Sequence, residues 1–197
     1  MNDFLLSNAY KPLASLSTDW LNALSAFHRL VVGFSGGLDS TVLLHYLHQH
    51  SEIASKLIAL HVNHHISPHA DAWESHCRDH CSAYSIPLET HTIQATATAN
   101  REAVARRLRY QCFDQCLTPQ DALVLAHHAD DQAETLLLQL GRGAGLLGLG
   151  GMRAERKHHH YTLCRPLLTY TKADLHHYAK QHHLSWIEDE SNHDASL

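Results

Sequence analysis

The sequence has no Cys-x-x-Cys pair among its five cysteines, no apolar run of membrane-spanning length and no excess of basic residues. Without Cys-x-x-Cys, neither a zinc ribbon nor a typical thiol-redox motif is supported. No apolar run approaches the ~20 residues that a membrane span needs. The first residues lack a basic n-region, so no signal peptide is expected. With a formal net charge of −5, any site for a polyanion must be local.

Neither the cysteines nor the histidines follow a spacing that indicates a metal site. Two cysteine pairs, Cys77/Cys81 and Cys112/Cys116, are spaced four apart in predicted helices, which puts each pair on one helical face. Together with Cys164 they are interpreted as small buried apolar residues, free in a reducing cytoplasm. The 21 histidines fall largely in solvated-looking runs, so surface composition is favoured over metal binding.

Short apolar runs alternate with helical patterns of ten or more residues, an order typical of parallel strands joined by crossover helices. A chain of 197 residues that is 44% hydrophobic can bury one domain core. The predicted fold is therefore α/β, a doubly wound, mostly parallel sheet covered on both faces. The expected strands are 30–34, 57–62, 87–93, 121–126 and an extended segment at 161–168. The expected helices are one capped by Ser17 and Thr18, one that begins at the end of the 35–40 loop, and those at 71–84, 101–117, 130–141 and 171–183.

The most informative motif is Ser35-Gly36-Gly37-Leu38-Asp39-Ser40, which lies between the first strand and a helix. Two glycines allow the backbone to turn and expose its amides, and the helix start adds its positive end, so a phosphate chain fits this corner. Asp39 would repel phosphate unless a divalent cation joins the two. The motif lacks the Gly-Lys-Ser/Thr ending of P-loop NTPases and the dinucleotide fingerprint. It therefore predicts a different kind of Mg-nucleotide loop.

Polar residues follow three of the predicted strands, at 35–40, at 61–64 and at 127–131. Ligands of open parallel sheets bind at the carboxyl ends of the strands. The three segments are therefore predicted to converge on one active site.

Two further patterns remain ambiguous from the residues alone. In His127-His128-Ala129-Asp130-Asp131-Gln132-Ala133-Glu134, the carboxylates of Asp131 and Glu134 share a helical face and suit binding of a metal or an amine, or acid–base work. Helix capping by Asp130 or Asp131 is the alternative, although it leaves the histidine pair unexplained. The arginines of helix 101–117 are either a solvated face or contacts for phosphate or carboxylate.

The ordered motifs resemble the N-terminal catalytic domain of the tRNA(Ile)-lysidine synthetase family, within the N-type ATP pyrophosphatase (PP-loop) superfamily. This resemblance implies an adenine nucleotide alpha hydrolase-like fold and covers some four-fifths of the chain. The matching pieces are SGGLDS at 35–40, HVNHHISP at 61–68, NREAVARRLRY at 100–110, LAHHADDQAETLLLQLGRGAGLLGLGGM at 125–152, RPLL at 165–168 and WIEDESN at 186–192.

The resemblance implies a two-step ligase reaction. ATP adenylates the ring-position-2 oxygen of the wobble cytidine in a CAU-anticodon tRNA(Ile), and the ε-amine of L-lysine then displaces AMP to give lysidine. The modified tRNA reads AUA instead of AUG.

The resemblance also implies roles for individual residues. The ATP site would comprise Ser35, Gly36, Gly37, Leu38, Asp39, Ser40, His61, Val62 and Asn63, with Mg²⁺ at Asp39 through the phosphates. His127 would lie near the α-phosphate, and Asp131 and Glu134 would hold the lysine ammonium with Arg107 opposite its carboxylate. The glycine-rich segment 141–151 is either a linker or a lid over the site.

The expected domain organisation is one PP-loop catalytic domain over 1–197. It would have a nucleotide-binding core at about 17–150 and an appendage at about 151–197, without the C-terminal tRNA-binding domains of the family. Two alternatives stay open. One is a tRNA cytidine thiolase of the same superfamily, which the missing Cys-x-x-Cys disfavours. The other is an ATP- or RNA-binding module without chemistry.

Overall fold

The computed structural model describes residues 10–13, 18–65, 67–93, 101–143 and 150–188. The predicted loop at 94–99, the centre of the predicted lid at 141–151 and the residues after 188 lie outside these ranges. In the described ranges no helix is long and apolar enough to cross a membrane. The secondary-structure elements are α1 (Thr18–Ser25), β1 (Arg29–Gly33), α2 (Leu38–His48), α3 (Ser51–Ala54), β2 (Leu57–Asn63), α4 (Ala70–Ala83), β3 (Leu88–Thr92), α5 (Arg101–Cys116), β4 (Asp121–Val124), α6 (Ala129–Gly141), β5 (Glu155–His158), β6 (Tyr161–Cys164) and α7 (Lys172–Gln181).

The strands form one six-stranded sheet in the order β3-β2-β1-β4-β6-β5. All neighbours are parallel except β5 and β6, which pair antiparallel at the edge. The mostly parallel α/β prediction is confirmed. Strand β5 was not predicted, because Glu155-Arg156-Lys157-His158 is charged and exposed and carries no apolar signal.

Both faces of the sheet are buried, as crossover connections require. In β1, Leu30 and Val32 belong to the core cluster that includes residues of α1, α2, α4 and α7. Val31 points to the opposite face, where it joins Cys112 and Phe113 of α5. This alternation explains why β1 reads as a continuous apolar run in the sequence.

Helix α7 begins where the sequence predicts. The Thr171 side chain accepts a hydrogen bond from the Asp174 backbone N–H at 3.2 Å, and the Asp174 carboxylate accepts from the Thr171 backbone N–H at 2.8 Å. This reciprocal pair satisfies two orphan amides of the first turn. The helix packs on α2, where the His45 ring nitrogen and the Tyr178 hydroxyl lie 3.0 Å apart.

The strand order decides where the polar segments meet. Strands β2, β1 and β4 are adjacent and parallel, so residues 61–63, 35–40 and 127–131 follow neighbouring strands at the same edge of the sheet. The predicted convergence of these three segments is confirmed.

Candidate active site

The loop between β1 and α2 is closely packed on its inner side. Gly36 has a φ of +81°, a conformation that favours glycine. A Cβ added at Gly36 would lie 2.6 Å from Ile187 Cδ1 and 2.9 Å from Cys77 Sγ. The Ile187 backbone N–H also donates to the Gly36 carbonyl at 2.9 Å. The loop is therefore held in a fixed shape by α4 and by the segment that follows α7.

The outer side of this loop presents hydrogen-bonding groups. Ser35 is exposed, and its hydroxyl lies 3.1 Å from that of the buried Ser40. Gly37 caps α2 without a side-chain hydrogen bond, so the first-turn amides have no side-chain partner at the cap. Among the described residues, the buried Asp39 Oδ1 has no hydrogen-bond partner. Hydroxyls, amides at a helix start and an unpartnered carboxylate oxygen suit a phosphate chain bound together with a hard cation.

At the end of β2 the side chains brace the backbone. His61 is 6% exposed, and its Nδ1 lies 2.9 Å from the Phe34 carbonyl, next to the loop. Burial is the main cause that lowers the pKa of His61. The Asn63 side chain donates to Glu74 at 3.1 Å and accepts from the His65 N–H at 3.0 Å. These bonds fix the strand end beside the loop, which leaves its backbone as the surface offered to a ligand.

His128 joins the end of β4 to the loop. Its Nε2 lies 3.5 Å from Asp39 Oδ2, and its Nδ1 lies 3.5 and 3.6 Å from carboxylate oxygens of Asp130 and Asp131. Burial lowers the pKa of His128, but the three carboxylates outweigh burial, and the pKa is raised above its ordinary value. The His128 ring therefore bridges two of the three polar segments.

His127 has the opposite electrostatic character. Burial, followed by the positive charge of Arg165, lowers the pKa of His127 to about 4. The Arg165 Nε donates to His127 Nδ1 at 3.2 Å. Because Nδ1 accepts this bond in a neutral ring, the proton must lie on Nε2, and His127 is a neutral hydrogen-bond donor.

Arg165 is a buried cation, 6% exposed. Its Nη1 also donates to the Arg153 carbonyl at 3.0 Å, and Tyr110 is a further side-chain hydrogen-bond partner. Burial lowers the pKa of Arg165, and the nearby Arg106 and Arg156 lower it further while Tyr110 opposes them. In the described part of the chain no carboxylate forms an ion pair with it. Buried charges are normally paired, so Arg165 beside His127 suits an anionic ligand.

The predicted lysine-binding residues lie on helices α5 and α6. Asp131 Oδ2 accepts a hydrogen bond from the His128 backbone N–H at 2.7 Å. This oxygen therefore caps the start of α6, as one of the two interpretations of the sequence expected. Asp130 instead accepts from the Lys172 backbone N–H at 2.8 Å and links α6 to α7. Glu134 and Arg107 are exposed. The arginine of α5 whose charge reaches His127 is Arg106.

A family model for the PP-loop domain matches residues 8–197. The chain belongs to the PP-loop family. Domains of this family use ATP, which implies that this chain uses ATP as well.

Several curated proteins are similar to this PP-loop chain over most of its length. The tRNA(Ile)-lysidine synthase of Legionella pneumophila (strain Paris) is 48% identical over 179 residues, which cover 91% of this chain and 42% of that protein. The protein of the same name from Pseudomonas aeruginosa is 45% identical, and the match covers 93% of this chain and 42% of that protein. The one from Actinobacillus pleuropneumoniae (serotype 3) is 42% identical, and the match covers 93% of this chain and 43% of that protein. The chain thus spans less than half the length of the curated relatives it matches.

Solved structures confirm the PP-loop fold at low sequence identity. The U34-tRNA thiolase NcsA from Methanococcus maripaludis, solved with its [4Fe-4S] cluster, matches with a TM-score of 0.66 at 19% identity over 89% of this chain and 63% of that chain. An NH3-dependent NAD synthetase from Campylobacter jejuni matches with a TM-score of 0.58 at 15% identity, over 88% of this chain and 75% of that chain.

Sequence reasoning missed three residues of this PP-loop site. His128 was seen only as half of an unexplained pair, although its place between two acidic segments was a usable signal. Arg165 lay inside the RPLL motif, but nothing in its spacing showed that β6 would deliver it beside His127. Arg106 could not be told from its neighbours, because each arginine of α5 satisfies the same local pattern.

Proposed function

We propose that this chain carries the catalytic site of a tRNA(Ile)-lysidine synthase. ATP adenylates the position-2 oxygen of the wobble cytidine in a CAU-anticodon tRNA(Ile), and L-lysine then displaces AMP. The observation that carries the proposal is the Arg165–His127 pair, with Arg165 buried, beside an SGGLDS loop whose Asp39 oxygen is unpartnered. The 42–48% identity to proteins named tRNA(Ile)-lysidine synthase supports this choice of substrate.

In the first step the cytidine oxygen attacks the α-phosphorus, and the bond between that phosphorus and the oxygen bridging to the β-phosphorus breaks. Residues 35–40 hold the departing pyrophosphate through hydroxyls and helix-start amides. Asp39 is the carboxylate that would hold Mg²⁺, which when bound neutralises phosphate charge. The backbone of His61, Val62 and Asn63 borders the adenosine.

His127 and Arg165 stabilise the charge that develops on the α-phosphate. His127 donates from Nε2 because Arg165 occupies its Nδ1, so no proton transfer is required. Arg165 adds a fixed positive charge in a site shielded from water, where such a charge has its largest effect.

In the second step the lysine ammonium first gives a proton to the Asp131 or Glu134 carboxylate. The free ε-amine then attacks the activated ring carbon, the carbon–oxygen bond breaks and AMP leaves, and the nitrogen of the new carbon–nitrogen bond loses its second proton to solvent. Asp131 and Glu134 are spaced three apart on α6 and hold the ammonium group. Arg107 is the proposed partner of the lysine carboxylate. Arg106 is a second candidate for that role, because its charge reaches His127.

The test is incorporation of labelled lysine into a CAU-anticodon tRNA(Ile) transcript by the chain and by its Asp39→Ala variant. We expect incorporation that depends on ATP, fails with α,β-methylene ATP and falls at least about a hundredfold in the variant, because a cation ligand at the phosphates is lost. A transcript with uridine at the wobble position is the matched negative control. Incorporation that is unchanged in Asp39→Ala, or ATP–pyrophosphate exchange without any incorporation, would contradict the proposal.

The thiolase alternative has less support. An iron–sulfur cluster needs several cysteine thiolates at one place. Among the described residues, Cys77 touches the nucleotide loop, whereas Cys112 and Cys116 lie on α5 and face His91 of the edge strand. The likeness to the thiolase structure, at 19% identity, concerns the fold alone.

A further inference from the structure

A cluster of soft ligands lies between helix α5 and the edge strand β3. Cys112 and Cys116 are one helical turn apart on α5, and their sulfurs are 3.9 Å apart. The Nε2 of His91 on β3 lies 3.3 Å from the sulfur of Cys116. All three ligand atoms lie within 4.8 Å of one another.

The spacing of these atoms is that of a tetrahedral zinc site. Zn–S bonds of about 2.3 Å and a Zn–N bond of about 2.05 Å place two sulfurs roughly 3.8 Å apart and a sulfur and an imidazole nitrogen roughly 3.6 Å apart. The observed 3.9 and 3.3 Å differ from these values by a few tenths of an ångström. A cation would therefore fit with small side-chain adjustments.

Glu89 is the candidate for the fourth ligand. It precedes His91 by two residues on β3, so both side chains lie on the same face of the strand. Its carboxylate acts electrostatically on the thiols of both Cys112 and Cys116, but it lies outside the 4.8 Å group of the other three ligand atoms and would reach the ion only after its side chain rotates. A carboxylate oxygen is a common zinc ligand, so it can serve as the fourth ligand of a site with two cysteines and one histidine.

This cluster is separate from the ATP site. The Cys116 carbonyl accepts a hydrogen bond from Arg29 Nη2 at the beginning of β1, the opposite end of that strand from the nucleotide loop. The other helical cysteine pair, Cys77/Cys81 on α4, has the same four-residue spacing. In the described part of the chain that pair forms no such three-ligand group, so spacing alone does not create the site.

We propose that His91, Cys112 and Cys116, with Glu89 as fourth ligand, bind one Zn²⁺ ion that ties the edge strand β3 to helix α5. Residues Leu88–His91 of β3 are only half-buried and Thr92 is exposed, so a metal link adds a connection that apolar packing supplies weakly there. The bound ion stabilises the folded chain by mass action. It takes no part in the proposed ligase chemistry.

The test is a Co²⁺ titration of the reduced, metal-free 197-residue chain, followed by visible absorption spectroscopy. We expect a thiolate-to-cobalt charge-transfer band and intense tetrahedral ligand-field bands that saturate at one equivalent and disappear when Zn²⁺ is added. Imidazole ligands alone give no thiolate band, so the surface histidines cannot produce this signal. Zn²⁺ should also raise the melting temperature of the chain.

Two variants and a matched control locate the site. Cys116→Ser and His91→Gln should each weaken cobalt binding at least about tenfold, since each removes a ligand. Cys81→Ser, which alters the matched pair on α4, should leave the titration unchanged. Far-UV circular dichroism of each metal-free variant tests whether it is folded. If Cys116→Ser does not fold, His91→Gln, which changes a half-buried residue, locates the site on its own.

The proposal fails if one equivalent of Co²⁺ gives no thiolate band, because the cluster is then only a thiol–imidazole contact. It also fails if the band survives both Cys116→Ser and His91→Gln at full strength, or if it is lost in Cys81→Ser. Lysine incorporation is measured separately, so failure of the metal site leaves the proposed ligase function intact.

Discussion

Replacing Gly36 by alanine tests the geometry of the nucleotide loop in two separable ways. At a φ of +81° an alanine is strained by about 1–2 kcal/mol. Its Cβ would also lie 2.6 Å from Ile187 Cδ1 and 2.9 Å from Cys77 Sγ, and overpacking of this kind costs about 1–3 kcal/mol. We expect the free energy of unfolding to fall by about 2–5 kcal/mol.

Two other glycines separate the contributions. Gly143 has a φ of +70° and no neighbour within 4 Å of an added Cβ, so Gly143→Ala should cost only the strain of about 1–2 kcal/mol. Gly141 ends α6 with neither a positive φ nor a neighbour within that distance, so Gly141→Ala should be neutral or stabilising by up to about 1 kcal/mol.

Urea unfolding of the three variants, each compared with the parent, gives these differences directly. Ile187→Val removes the Cδ1 atom that alanine would meet first, so the Gly36→Ala/Ile187→Val double variant should lose less stability than the two single changes added together. Calorimetry should also show weaker ATP binding in Gly36→Ala. The reasoning is refuted if Gly36→Ala costs no more than Gly143→Ala, or if the double variant is fully additive.

Further predictions concern the charged groups of the site. Arg165→Gln should weaken ATP binding about 10–100-fold in calorimetry, because a charge-assisted hydrogen bond is worth about 1.5–3 kcal/mol, whereas Arg156→Gln at an exposed position should change it little. The raised pKa of His128 gives stability that is present below pH 6.5 and lost as pH rises through the folded-state pKa, so urea unfolding of His128→Gln should depend less on pH above 6.5. The lowered pKa of His127 gives stability that is lost as pH falls from 6.5 through about 4, so His127→Gln should lose less stability across that range. Asp39→Asn should lower the pKa of His128 in an NMR titration, and an unchanged pKa would contradict the ion pair assigned here.

Local patterns predicted most of the fold. Strand β2 was expected at 57–62 and is found at Leu57–Asn63, and helix α4 was expected at 71–84 and is found at Ala70–Ala83. The Thr171 cap was also read correctly, because capping depends only on residues within one turn. Strand β5 was missed, because an exposed edge strand is defined by its hydrogen bonds to β6 and carries no apolar alternation.

The sequence predicted those parts of the candidate site that are formed by consecutive residues, and it did not predict contacts between residues far apart in the chain. The SGGLDS loop could be identified from its own glycines and serines. The Arg165–His127 contact joins residues 38 apart, and no local periodicity encodes it. The zinc cluster was missed for the same reason, since His91 lies 21 and 25 residues before the two cysteines that face it, whereas familiar metal motifs keep ligands close together.

The pairing of Ile187 with the nucleotide loop has a consequence for biosynthesis. Gly37 and Ile187 form an isolated parallel bridge between positions 150 residues apart. While a ribosome is still translating the intervening strands and helices, the glycine turn lacks the neighbour that closes its inner side. We therefore expect nascent chains that end before residue 187 to bind nucleotide poorly, even after the first strands have emerged from the exit tunnel.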